Sequence, residues 1–307
     1  MIGLGSIGTR HLKNLFAISK ERCISLQVDA LRSNKTPLPN GVGDLISSEY
    51  FSYDDLPDDY DIVFITNPTS KHYETISQTL SKAKHMFIEK PVFDKIDYDY
   101  ESLQWEPEGV YYVACPLRYH TVIKYIKEFL KDNQVYSVRC ICSSYLPDWR
   151  PDTDYRLSYS ALAKLGGGVR GDLIHEWDYL QYLFGKPLEV NCQYGKFSHL
   201  EIDSEDSAIY IAKYPDKLVS LSLDYFGRFS RREIELFTKD DVIVGDLIND
   251  QVRFLKSGEI IKLPQENGAL YMEELKYFLD MISNKGDNHN NVKTAVETLK
   301  LAMGSEK

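Results

Sequence analysis

The chain has 307 residues, 43% of them hydrophobic and 27% charged, a balance ordinary for a globular enzyme and a length that argues for two domains. Acidic residues outnumber basic ones 46 to 36, for a formal charge of −10, which disfavours a general nucleic-acid binder. No apolar run reaches the ~18–20 residues of a membrane span, and no charged segment followed by an apolar one marks a secretion signal.

The first residues, "MIGLGSIG", place Gly3, Gly5 and Gly8 in the spacing G-x-G-x-x-G, with Ser6 and Ile7 inside the turn. Such a turn lets the backbone approach a pyrophosphate in front of a helix N-terminus, and it needs a strand before it and a helix after it. The helix is predicted from "RHLKNLFAIS", where Leu12, Leu15, Phe16 and Ile18 recur at helical spacing. Only Met1 and Ile2 precede the first glycine, so the first strand is expected to be truncated. A plain tight turn is the alternative on these residues alone.

"CISLQVDAL" alternates like a strand, with Ile24, Leu26, Val28 and Ala30 on one face. It is expected to run through Leu31 and leave Arg32 and Ser33 at its mouth. An acid there would hold a ribose hydroxyl and a base would accept a 2′-phosphate, so Arg32 leans the cofactor toward NADP over NAD. "DIVFITNP" is a buried strand stopped by Asn67–Pro68, "KHYETISQTLSKA" a helix, and "KHMFIEKP" another strand. This alternation predicts a parallel sheet with helices on both faces. Lys90, at the carboxyl end of its strand, faces the crevice where ligands sit.

From Gly109 the pattern changes. "TVIKYIKEFLKD" reads as a helix, and "GGGVRGDLIHEWDYLQYLFG" as a loop feeding a second one. Asp172, His175 and Asp178 fall three apart there, a spacing that shares a helix face; surface polar groups are the bland alternative. Six strands follow between Leu188 and Ser257, mostly antiparallel because their connections are short. Two helices close the chain around the polar loop "NKGDNHNN". The boundary between domains is placed near residue 118, giving 1–117 and 118–307. The five cysteines show no metal-type spacing and read as reduced thiols of a cytoplasmic protein.

Five stretches in order, "GLGSIGTRH", "TNPTSKH", "EKP", "PLRYH" and "GGGVRGDLIHEWD", give the chain a resemblance to the glucose–fructose oxidoreductase, inositol dehydrogenase and MocA (Gfo/Idh/MocA) family over nearly its whole length. The resemblance implies an α/β protein with an N-terminal Rossmann domain. A second α/β domain would carry a large, mostly antiparallel sheet whose exposed face makes a homo-oligomer, dimer or tetramer. It implies hydride transfer between NAD or NADP and a carbon of a sugar, nucleotide sugar or similar polyol, with no nucleic acid, membrane or metal involved.

Carried over by motif, Gly3, Gly5 and Gly8 hold the pyrophosphate, while Thr66, Asn67, Pro68, His72 and Glu89 line the cofactor. Lys90 approaches substrate and nicotinamide across a cis Lys90–Pro91 bond. Arg118 and Tyr119 mark the crossover and face the substrate. Asp172 and His175 form the active pair, His175 exchanging the hydroxyl proton and Lys90 stabilising the same oxygen. The family places three residues between that pair; here Leu173 and Ile174 are the only two. Trp149 and Tyr155, in "LPDWRPDTDYRLSY", are read as sugar-lining, with a packing loop as the alternative. A cofactor-binding sensor or subunit that no longer catalyses is the rival function.

Overall fold

The computed structural model describes residues 1–283 and 286–304. In chain order they form α1 (Ser6–Glu21), β1 (Asp29–Leu31), β2 (Ser48–Tyr50), β3 (Tyr60–Ile65), α2 (His72–Thr79), β4 (Ala83–Ile88) and β5 (Tyr111–Val113). There follow α3 (Thr121–Phe129), β6 (Val135–Tyr145), α4 (Val169–Asp172), α5 (His175–Phe184), β7 (Glu189–Gly195), β8 (Ser207–Lys213) and β9 (Leu218–Asp224). Last come β10 (Phe226–Thr238), β11 (Val242–Asp246), β12 (Gln251–Phe254), β13 (Ile260–Lys262), α6 (Ala269–Ile282) and α7 (Val292–Ala302). Two compact units result, Met1–Ala114 with Tyr271–Val296, and Cys115–Leu270 with Glu297–Lys307. Where the sequence suggests one boundary at 117/118, the chain passes over after Ala114, returns for Tyr271–Val296, and passes over again.

The first unit is a parallel sheet in the order β2–β1–Ile2–β3–β4–β5, with Ile2 alone bridging Leu31 on one side and Ile65 on the other. Ile2 N–H donates to Phe64 O at 2.8 Å, and Thr66 N–H to Ile2 O at 2.9 Å. The runs Val63–Ile65 and Met86–Ile88 are buried throughout, as strands covered on both faces must be. α1 buries His11, Leu12, Leu15 and Ile18. The ring of Phe278 in α6 meets Phe87 edge-on at 5.3 Å. β1 is shorter than the alternation suggests, and Ile24 is exposed. β2 begins opposite Asp29, and Val28 O just before it accepts Ser47 N–H at 2.7 Å. The polar loop after α6 covers the edge of β5: Asn288 and Asn290 donate from Nδ2 to Tyr111 O and Val113 O. Asn284 and Lys285 of that loop lie outside the described residues.

The second unit is built on an eight-stranded sheet, β13–β12–β11–β10–β6–β9–β8–β7, antiparallel throughout except for the β6–β9 pair. Alternation sorts its faces. Ala208, Tyr210 and Ala212 of β8, with Val219, Leu221 and Leu223 of β9, turn inward, while Ile209, Ile211 and Leu218 turn out. Trp177 of α5 packs edge-on to Tyr210 at 5.3 Å. A Cβ at Gly245 would lie 2.6 Å from Ile126 Cδ1, so this glycine lets α3 rest on β11. Cys140 and Cys142 point to the same buried face, and among the described residues no disulfide is formed. Among the described residues no helix is long and apolar enough to cross a membrane.

Candidate cofactor and catalytic residues

At the carboxyl ends of the parallel strands, the glycine turn has the form its chemistry demands. Gly3 sits at φ +91°, and a Cβ there would fall 2.7 Å from Asn67 N. A Cβ on Gly8 would lie 2.2 Å from Gly3 O. Thr66 Oγ1 braces the turn by donating to Gly3 O at 2.6 Å. Gly5 differs: among the described residues a Cβ there meets nothing within 4 Å, so the space before it is open. Gly5 caps α1 without a side chain, and Ser6 and Ile7 open the helix. Their N–H groups have no acceptor within the helix and stand at its positive end. No acidic residue occupies the first turn. Donors, dipole and open space all fit the pyrophosphate of a dinucleotide.

Around this turn the expected lining residues divide. Arg32 lies at the mouth of β1, its guanidinium paired with Glu49 and bonded to Thr36 O, and Ser33 beside it is exposed. Asn67 is half-buried and donates to Thr75 Oγ1 at 2.8 Å, while Pro68 is exposed. His72 is buried, and its ring spans two loops: Nε2 is 2.9 Å from Asn67 O, and Nδ1 is 3.0 Å from Pro91 O. Burial depresses its pKa. With one ring proton, His72 donates to one of these two loops and not to both. Glu89 likewise turns inward, its Oε1 2.6 Å from His11 Nε2 and its Oε2 accepting Lys90 N–H at 3.2 Å. Burial alone would raise the Glu89 carboxyl, but the His11 hydrogen bond and the charges of His11, Lys90 and His72 hold it below its ordinary value. Lys90 is half-buried and the Lys90–Pro91 bond is cis.

In the second unit, the shared helix face expected for Asp172 and His175 is not formed. α4 ends at Asp172, Leu173 departs to ψ 28°, and His175 is the first residue of α5. Leu173 and Ile174, between the polar pair, are both buried. Asp172 Oδ2 accepts hydrogen bonds from Ser160 Oγ and from Tyr225 OH, the latter at 3.0 Å. Burial, then the Asp172 charge, push the Tyr225 phenol well above its usual range. Ser160 and Tyr225 carry no local motif; the one cue for Tyr225 is an aromatic following an alternating strand in "SLSLDYF".

Arg118, expected to face substrate, instead binds Asp178. Nε reaches Oδ2 at 3.0 Å and Nη2 reaches Oδ1 at 2.6 Å, with both side chains buried. Tyr119 is buried, with Lys124 Nζ 5.9 Å from its ring centre. A second pair, Arg232 to Glu176 at 2.6 Å, ties α5 to β10. Trp149 is partly exposed and meets Tyr225 edge-on at 5.4 Å, one side chain from Asp172. Tyr155 lies farther along that loop, its hydroxyl accepting Glu201 N–H at 3.1 Å. Thus Asp172, Ser160, Tyr225 and Trp149 form one group, whereas Arg118 and Tyr119 belong to the framework. Among the described residues no cluster of three or more His, Cys, Asp or Glu side chains is arranged for a metal ion.

Comparison with known proteins agrees with the two-part fold. Residues 1–104 match a model described as an oxidoreductase family with an NAD-binding Rossmann fold, and residues 123–243 match a Gfo/Idh/MocA C-terminal domain. A Bacillus subtilis protein named uncharacterized oxidoreductase YrbE is 28% identical over 203 residues, 64% of this chain and 55% of that protein. Myo-inositol 2-dehydrogenase of Thermotoga maritima is 24% identical over 198 residues, 62% of this chain and 55% of its own. The chain thus spans about half the length of the curated relatives it matches. Among solved structures, UDP-N-acetylglucosamine 3-dehydrogenase from Acidithiobacillus ferrooxidans shares the fold, with a TM-score of 0.79 at 19% identity over 99% of this chain and 95% of that one.

Proposed function

We propose that this chain, which belongs to the Gfo/Idh/MocA family of oxidoreductases, transfers hydride between a nicotinamide cofactor and a carbon of a sugar, nucleotide sugar or similar polyol. The observation that carries this reading is the open space at Gly5, in front of the uncapped α1 and on the same sheet end as Arg32, Thr66 and Lys90. The nicotinamide, when bound, supplies or accepts the hydride. Ser6 and Ile7 N–H groups hold the pyrophosphate. Arg32 exchanges Glu49 for a 2′-phosphate, which favours NADP over NAD.

Lys90 supplies an ammonium that donates to a substrate oxygen and stabilises developing charge on it. His175 supplies an imidazole that takes or returns a hydroxyl proton. Asp172, with one oxygen fixed by Ser160 and Tyr225, accepts from a neighbouring hydroxyl or orients His175. Trp149 offers a ring face to the sugar. The outward face of the large sheet, with Ile209, Ile211 and Leu218 exposed, is the surface for self-association.

The test has two stages. Fluorescence titration with NADH and NADPH measures binding, and a panel of inositols, sugars and nucleotide sugars with each oxidised cofactor measures turnover. Substrate-dependent cofactor reduction is expected. Tight cofactor binding with no turnover across the panel would favour the sensor reading instead.

A further inference from the structure

His11 lies on the buried stripe of α1, where an apolar side chain would be cheaper. Its ring is 4.8 Å from that of Phe87 and is wholly removed from water. A polar group buried there costs free energy unless it is paired, and a buried charge costs more. Among the described residues the ring makes one hydrogen bond, to Glu89 Oε1 at 2.6 Å, and its Nδ1 has no partner. The same carboxylate takes the backbone N–H of Lys90 through its other oxygen. On the far side, the Nδ1–H tautomer of His72 donates to the carbonyls of Pro91 and Val92, at 3.0 and 3.2 Å. The three residues after Glu89 are thus held at both ends by buried imidazoles, one directly and one through a carboxylate.

We infer that His11 and Glu89 are positioning residues for Lys90: the imidazole fixes the carboxylate, and the carboxylate fixes the backbone from which the Lys90 side chain departs. This deepens the reading of Lys90 as the group that stabilises the reacting oxygen and rests on it. An ammonium on a long stem is useful for that task only if its origin is fixed, since a displacement of about 1 Å can cost ~10²-fold in rate. Neither residue needs to touch substrate. The electrostatic partners of Glu89, namely His11, Lys90 and His72, all belong to this one network.

The test compares His11→Leu, which keeps bulk and removes the donor, with His11→Gln, which keeps an N–H directed at Glu89. Three quantities are read in the full chain: NADH affinity by fluorescence, turnover on the panel substrate, and the acetylation rate of Lys90. The last is measured by acetic anhydride labelling and peptide mass spectrometry against the exposed Lys71. His11→Leu should lower turnover by about 10- to 100-fold, leave NADH affinity unchanged and speed Lys90 labelling severalfold. His11→Gln should restore all three toward the unmutated values.

Folded His11→Leu protein whose Lys90 labels at the normal rate overturns the inference. If His11→Leu does not fold, the unmutated chain still decides. Its Lys90 amide should exchange with solvent deuterium roughly 100-fold or more below the unprotected rate, and exchange at the unprotected rate overturns the inference. Labelling and exchange need no substrate, so a chain that turns over nothing on the panel refutes the reading of function without touching this test.

Discussion

Replacing Gly5 by alanine separates a glycine kept for a ligand from glycines kept for the fold. Gly5 has φ −70° and ψ −166°, an extended conformation open to any residue, and a Cβ there meets nothing within 4 Å. Two small effects on stability oppose each other. Alanine is a poorer N-cap than glycine by up to about 1 kcal/mol, while restricting the unfolded chain returns about 0.4–1 kcal/mol. The net change should lie within about 1 kcal/mol, or ~2–4 °C in melting temperature. Cofactor binding should respond differently, because the methyl group occupies the approach of the pyrophosphate. Losing one charge-assisted hydrogen bond to it, worth about 1.5–3 kcal/mol, weakens the dissociation constant by roughly 10- to 150-fold. Gly8→Ala supplies the contrast: its Cβ would collide with Gly3 O at 2.2 Å, so the turn itself must move and melting temperature should fall. The assay is NADH fluorescence titration beside thermal unfolding. Gly5→Ala with unchanged NADH affinity would refute the placement of the pyrophosphate.

Three further outcomes are expected. His175→Asn should cut turnover by ~10²–10⁴-fold with cofactor affinity nearly unchanged. Combined with Lys90→Ala, it should lose less than the product of the single losses if both groups serve one transition state; fully multiplicative losses in steady-state kinetics would separate their roles. Asp178→Ala removes the carboxylate that holds Arg118 Nε and Nη2 and should destabilise by up to about 3–5 kcal/mol, whereas the double replacement Arg118→Met with Asp178→Leu should cost less; urea unfolding measures both. Arg32→Ala should abolish a preference for NADPH over NADH, and equal affinities in the unmutated chain would remove Arg32 from the cofactor site.

The glycine turn was legible because its constraints are local: a positive φ at Gly3 and a backbone contact at Gly8 admit no other residue. The strands were legible where burial is uniform, as in Val63–Ile65, or strictly alternating, as in β8. What could not be read was the partner of each buried polar group. Arg118 and Asp178 stand 60 residues apart, and Asp172 and Tyr225 stand 53 apart. No local pattern links either pair. The break at Leu173–Ile174 is a departure of the backbone that helical spacing does not encode. α6 shows the same limit, since an amphipathic stripe announces that a helix will be buried but not which sheet it covers.

His11 marks the line between the two kinds of information. It stands four residues before Leu15 and seven before Ile18, so the sequence already places a titratable ring on the apolar stripe of α1. A polar residue in that position must find a partner or lower the stability of the helix that carries it. The anomaly was therefore visible in one dimension, while its resolution, a carboxylate 78 residues away, was not. Glu176 and Asp178 repeat the pattern on α5, each buried and each satisfied by an arginine from a distant segment. Buried polar residues on helix stripes thus locate the networks that hold Lys90 and the start of α5, and only the fold names their other ends.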